Sequence, residues 1–132
     1  MVQTDRAGRL VRWWAVALGA LFGAPCRHLL GTAVTARFGR DRPWGTLSVN
    51  LLGSAAAGLL AGLSADYVTD TVVALVGVGF LGAFTTASTF AVEVLDLAES
   101  GRRTDAVLLV AVTVVLGLAL AGGAFVVGRS VT

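Results

Sequence analysis

The chain reads as an all-α membrane protein of four transmembrane helices with a broken third helix. Three observations predict this. Of its 132 residues, 56% are hydrophobic and 14% charged, and the mean hydropathy is +0.84, far from the composition of a soluble domain. Three charge-free runs, Pro43 to Ala65, Thr71 to Val92 and Ala106 to Gly128, are each long enough to cross a bilayer with some tilt. Within the middle run, Gly79 and Gly82 precede a cluster of hydroxyls at Thr85, Thr86, Ser88 and Thr89, residues that a lipid-facing helix does not need.

Glycine lowers helix propensity by about 1 kcal/mol relative to alanine. An unwound turn at membrane depth is tolerated only where protein or a water-filled cavity satisfies its backbone. The stretch Gly79 to Phe90 therefore fits a broken helix beside a polar path. It also fits a contact of small residues between helices, with the hydroxyls bonded back to their own backbone.

The remaining span begins at Trp13. The apolar run Trp13 to Cys26 is too short alone; extended past Arg27 and His28 to Ala36 it becomes a span with a cation in its second half. An arginine at that depth costs about 2.5 kcal/mol or more, so it should face the bundle, a vestibule or the headgroups. Trp13, Trp14 and Trp44 suit interfacial belts. Arg6, Arg9 and Arg12 before an apolar core also have the shape of a signal peptide, but Pro25 directly before Cys26 argues against cleavage there. The spans are expected near residues 12–36, 44–65, 71–97 and 105–128, in a single domain over 1–132 without linker or repeat.

Within the first span, Gly19-Ala20-Leu21-Phe22-Gly23 allows close helix approach, as does Gly58-Leu59-Leu60-Ala61-Gly62 in the second. Pro25 predicts a kink, and Pro43 suits the first position of the second helix. Glu93, Asp96 and Glu99 are expected on a solvated extension of the third span, ending at Gly101. Four spans put both termini and the loop at Asp66 on one face. Arg6, Arg9, Arg12 and Arg129 then oppose Arg37, Arg40, Arg42, Arg102 and Arg103, so the positive-inside rule barely selects an orientation.

The isoelectric point near 9.5 does not point to nucleic acid, because most of the arginines cluster at span ends and suit anchoring at the membrane surface. One histidine, one cysteine and no carboxylate pair inside a span leave nothing from which to assemble an enzyme site or a metal site of soft ligands. What remains is a set of uncharged donors, Asn50, Thr85, Thr86, Ser88, Thr89 and Thr113, with rings at Phe80, Phe84 and Phe90. Hydroxyls and a carboxamide donate to anions, and an aromatic edge is electropositive. Such a lining replaces a hydration shell without a buried cation that would hold the ion too tightly, and it suits a small, strongly hydrated anion.

The blocks Pro43-Trp44-Gly45-Thr46-Leu47, Asn50-Leu51-Leu52-Gly53-Ser54, Gly79-Phe80-Leu81-Gly82, Thr85-Thr86 and Ser88-Thr89-Phe90 together resemble the CrcB/Fluc family of fluoride channels. Gly23-Ala24 with Arg27, and Thr113 with Leu116-Gly117, extend the likeness over nearly the whole chain.

The resemblance implies a multi-pass protein of the cell membrane. Two subunits would sit in an antiparallel, dual-topology-type dimer with two fluoride pores along the interface and a structural sodium ion at its centre. The channel would let fluoride that entered as HF leave passively. It further implies that Asn50 is a pore donor and Arg27 a vestibule cation, and that Ser88, Thr89 and Thr113 form a polar track. Phe90 would be one of two edge-on pore phenylalanines, and the carbonyls of Gly82 and Thr85 would hold the sodium.

Two positions depart from the family pattern. Ala87 stands where the family usually has the first pore phenylalanine, and Leu109 where homologues often have a tyrosine. The first leaves a homodimer and a heterodimer with a second related subunit both open. A small dual-topology exporter of organic cations and a non-transporting assembly subunit are the alternative functions. The first span has no acidic residue, which counts against the exporter.

Overall fold

The computed structural model describes residues 3–63 and 67–131, with side chains described from Arg12 onward. Asp66 and the side chains of Arg6 and Arg9, which enter the charge balance above, lie outside the described residues. Helix α1 (Gln3–Phe38) runs through Pro25 without interruption and stops at Gly39. There φ is +92 and the amide donates to the Thr35 carbonyl at 2.9 Å. A positive φ costs glycine nothing, which is why the helix turns here. Helix α2 (Trp44–Leu63) follows, with the Pro43 carbonyl accepting from Leu47 at 3.1 Å, so the proline caps the helix from just outside its first turn.

The third span is composite. It starts as a short α3 (Asp70–Val72), capped by the Thr69 side chain, and widens into a π-helix over Val73–Leu81. It returns to α geometry in α4 (Gly82–Phe84), opens at residues 85–87, and resumes as α5 (Ser88–Glu99). Helix α5 ends at Gly101, where φ is +79. Arg102 donates its amide to Leu97 at 2.8 Å and Gly101 to Ala98 at 3.3 Å, the paired bonds of a Schellman motif that satisfy the last carbonyls. Helix α6 (Arg103–Val131) completes the chain.

Trp44–Leu63, Asp70–Glu99 and Arg103–Val131 are each long and apolar enough to cross a membrane. In α1 the apolar run is interrupted by Arg27 and His28. The molecule is thus an all-helical membrane protein, and its third helix is broken. The break falls at Thr85 to Ala87, whereas Gly79 and Gly82 stay helical.

Those earlier glycines serve contact instead. A methyl group on Gly79 would meet the backbone of Val16 and Gly19, and one on Gly19 would run into the Leu75 carbonyl and the Phe80 backbone. Helix α1 therefore lies directly against the π-helix, and Gly23 repeats the contact at the Phe80 carbonyl one turn later. The second glycine pair joins α2 to α6: Gly58 abuts the Ala121 backbone, and Gly62 abuts Phe125 and Gly128. The constant offset between partners makes α2 and α6 parallel, so both start at the same membrane face.

Backbone-to-backbone contact of this kind replaces hydrophobic burial as the source of helix association in lipid. Accordingly, few large side chains are buried, and Val49 at 1% exposure is the largest that is almost fully enclosed. Long apolar residues face outward, among them Leu118 at 70% and Val115 at 63%.

Gly58→Leu should destabilise the folded protein by about 1–3 kcal/mol, the usual range for overpacking, and lower its melting temperature in detergent. Gly122→Leu, where an added Cβ meets nothing within 4 Å, should leave the melting temperature close to wild type.

Candidate functional site

The break in the third span exposes backbone groups that a continuous helix would have paired. Thr85 has φ −76 and ψ 160, so the chain leaves the helix in an extended conformation and presents the Thr85 and Thr86 peptide groups sideways. Each finds a side-chain partner. Asn50 on α2 donates its Nδ2 to the Thr86 carbonyl at 3.0 Å, while its Oδ1 accepts from the Thr86 amide at 2.9 Å. One carboxamide thus pairs with both polar groups of a single residue, as a neighbouring strand would. Arg27 on α1 donates Nη1 to the Thr85 carbonyl at 3.3 Å.

Thr86 is itself buried at 8% exposure, and its hydroxyl restarts the helix. Its Oγ1 accepts from the Thr89 amide at 3.2 Å and donates to Thr89 Oγ1 at 3.1 Å, with Ser88 Oγ 3.4 Å away. A hydroxyl that accepts from an amide three residues on satisfies one of the orphan donors of a helix start. Thr85 closes the other side, sending both its amide and its hydroxyl to the Leu81 carbonyl at 3.0 Å.

Two cavities meet at this pair. The larger, about 770 Å³, opens toward the loop between α1 and α2 and is lined by Arg27, His28, Thr46, Thr86, Thr89 and Glu93. Arg40, Asp41, Arg42, Asp96 and Arg102 stand around the same space, so its charges are mixed with cations in excess. The second is an open groove of about 530 Å³ lined by Asn50, Gly82, Thr85, Thr86, Phe90 and Thr113, with Ala87 at its edge. Thr86 borders both, which makes the Asn50–Thr86 pair the wall between them.

The sequence-predicted residues fall on the two sides of that wall. Asn50, Phe90, Thr113, Gly82 and Thr85 line the groove, and Arg27 and Thr89 line the larger cavity. Ser88 is exposed and touches the cluster only through the Thr86 hydroxyl. Phe90 also packs against the apolar cluster of Leu97, Ala106 and Leu109. Phe80 and Phe84 line neither space; they stack on each other with centroids 5.8 Å apart. The hydroxyls of Thr113 and Ser54 donate to their own helix, to Leu109 at 2.7 Å and to Asn50 at 2.8 Å, and so turn oxygen lone pairs outward.

Sequence reasoning missed two features. Thr86 was one hydroxyl among several, although its spacing to Thr89 is that of a helix cap. Glu93 was expected on a solvated helix end. It is half-buried instead: its Oε1 accepts from Thr46 at 2.8 Å, and its Oε2 is enclosed without a partner among the described residues. The reason is tertiary, since the first turn of α2 lies against α5 and brings Thr46 over the carboxylate. Among the described residues no three His, Cys, Asp or Glu side chains gather into a metal-ligating cluster.

The architecture has close relatives. The family model described as CrcB-like protein, Camphor Resistance (CrcB), matches residues 14–127. A fluoride-specific ion channel FluC of Sphingopyxis alaskensis is 47% identical over 116 residues, covering 86% of this chain and 92% of its own. The FluC of Magnetococcus marinus is 49% identical over 116 residues, 86% and 94% of the two chains. FluC 1 of Frankia casuarinae is 40% identical over 126 residues, 91% and 95%. The matched stretch contains both cavities, the break and every residue of the Asn50–Thr86 clamp, and on that likeness the chain belongs to the CrcB family.

Proposed function

We infer that the chain is a subunit of a fluoride-specific ion channel of the cell membrane, which lets fluoride leave the cell passively and so lowers its cytoplasmic concentration. It carries out no covalent chemistry. The observation that carries the reading is the clamped break: a polar, formally neutral stretch of backbone inside a membrane span, between a cavity of mixed charge that holds Arg27 and a groove lined by Asn50 and Phe90. Relatives of matching length and 40–49% identity that are named as fluoride-specific channels support it.

The residues divide the work by their chemistry. Arg27 draws an anion into the larger cavity, where Thr89, with Ser88 beside it, offers hydroxyls. Asn50 spends one Nδ2 hydrogen on Thr86 and keeps the other for an ion in the groove, because a primary carboxamide has two donors. Phe90, held by its apolar backing, turns a ring edge with positive character toward the same place. Thr113 completes the wall. None of these groups in the groove carries a full charge, so an ion is held weakly enough to move on.

The reading includes a single four-span domain over 1–132 and a dimer. The groove, with Gly82, Thr85, Ala87 and Phe90 along it, lies open on one side of the chain, and a second subunit inserted antiparallel would cover it. Sodium fits there. A methyl group on Gly82 meets nothing within 4 Å, so its backbone is approachable, and the Thr85 carbonyl keeps a lone pair beyond its bond to Arg27. Ser54, Thr85 and Thr113 direct their hydroxyl protons into their own helices. A wall of neutral oxygens is what a hard cation requires, and the ion would tie the carbonyls of Gly82 and Thr85 to their counterparts across the dimer. Ala87 leaves one ring at the groove in each chain, which favours assembly with a second related subunit that supplies the other.

Liposomes containing the assembled protein should release fluoride, but not chloride, without ATP or a proton gradient. A fluoride electrode follows this directly, and Phe90→Ala should cut the rate by about tenfold or more, a transition-state penalty of roughly 1.4 kcal/mol, while assembly is retained. In liposomes made with this chain alone, Ala87→Phe should raise fluoride efflux; an unmodified chain that already conducts fully and gains nothing from the change would mean that Phe90 suffices.

A further inference from the structure

A third concave surface, which shares Arg42 and Arg102 with the edge of the larger cavity, lies where the parallel helices α2 and α6 begin. It is a pocket of about 190 Å³ walled by Leu47, Leu108, Leu109 and Val112. Its rim carries Arg42, Trp44, Arg102 and Asp105. Part of the wall is exposed on the surface of the chain, with Leu108 at 53% and the adjoining Val107 at 67%. An indole beside a cation at the first turn of a span marks the level of the headgroups.

The charges on the rim do not cancel completely. Arg102 is committed: Nε and Nη2 both lie 2.8 Å from Asp105 Oδ2, and Nη1 donates to the Asp41 carbonyl at 2.8 Å. That pair is neutral as a unit. The guanidinium of Arg42 has no hydrogen bond or ion pair among the described residues, and the Trp44 indole, 38% exposed, has no acceptor among them. The rim therefore presents one uncompensated cation and one free N–H directly above an apolar slot.

We propose that this pocket is a binding site for an anionic phospholipid, with the phosphate on Arg42 and the Trp44 N–H and one acyl chain along Leu47, Leu108 and Val112. A guanidinium pairs with a phosphate through charge-assisted hydrogen bonds. A zwitterionic lipid would bring its own cation next to Arg42, whereas a phosphatidylglycerol headgroup brings none, so the site selects by headgroup charge. The proposal rests on the chain's spanning a membrane and not on which ion it conducts.

Native mass spectrometry of the protein in detergent, with phosphatidylglycerol and phosphatidylcholine of the same acyl chains as probes, tests it. Wild type should retain phosphatidylglycerol about fivefold more strongly, the preference expected of one arginine near the membrane surface. Arg42→Gln should abolish that preference. Arg103→Gln, an exposed cation at the same face but outside the pocket, should keep it. Inorganic phosphate alone should give no adduct. Equal retention of the two lipids, persistence of the preference in Arg42→Gln, or equal losses in the two arginine variants would overturn the proposal, the last by reducing it to diffuse surface charge. Thermal melting of Arg42→Gln without added lipid should match wild type, which separates lost binding from lost folding.

Discussion

Everything in the fold that bears on function depends on one pair of hydrogen bonds, those between the Asn50 carboxamide and the peptide groups of Thr86. A break inside a membrane span leaves an amide and a carbonyl without helical partners, and hydrocarbon offers none. Each unsatisfied group there costs several kcal/mol. Asn is suited to the task because it carries a donor and an acceptor side by side, with a hydrogen to spare. The break can then persist as part of the native structure, with its polar groups turned toward the two cavities.

The clamp works only because the helices come close. Gly53, one turn beyond Asn50 on α2, has no side chain, and a methyl there would overlap the Thr85 methyl; the break could not approach α2. On the other flank, the backbone contact of Gly19 and Gly23 with the π-helix sets α1 at a distance from which Arg27 reaches the Thr85 carbonyl. The π-helix carries wider turns than an α-helix, and with one face pressed on α1 it leads through the single turn of α4 into the break. Glycine packing, clamp and arginine thus form one mechanical unit. Beyond the break, Phe90 packs against the apolar cluster of Leu97, Ala106 and Leu109.

Much of this is legible in the sequence. Charge-free runs of span length predict the helices, and the hydroxyl cluster after two glycines fits either a break or a small-residue contact with back-bonded hydroxyls; the chain has both, with Gly79 against α1, the Thr85 hydroxyl on Leu81 and the break at residues 85–87. The two pairs of small residues predict the α1 and α6 contacts. What escapes is decided between elements. Gly79 and Gly82 weaken a helix in isolation, yet Gly79 is spent on contact with α1, and the chain opens three residues beyond Gly82, where Asn50 waits. The π-helix has no residue signature. Glu93 reads as one of three acids on a wet helix end until α2 lays Thr46 over it. The direction of the Thr113 hydroxyl, back to its own Leu109 carbonyl, is likewise a matter of local geometry that composition does not encode.

The most direct test of this account is the exchange rate of the Thr86 amide hydrogen, read by NMR in lipid nanodiscs for the wild type and for Asn50→Ala. The account predicts a protected amide in the wild type and exchange faster by about tenfold or more in the variant, the loss of a bond worth roughly 1.5 kcal/mol, while amides in the middle of α6 are unchanged. Equal exchange of the Thr86 amide in the two proteins would contradict it, because the break would then be held by something other than Asn50.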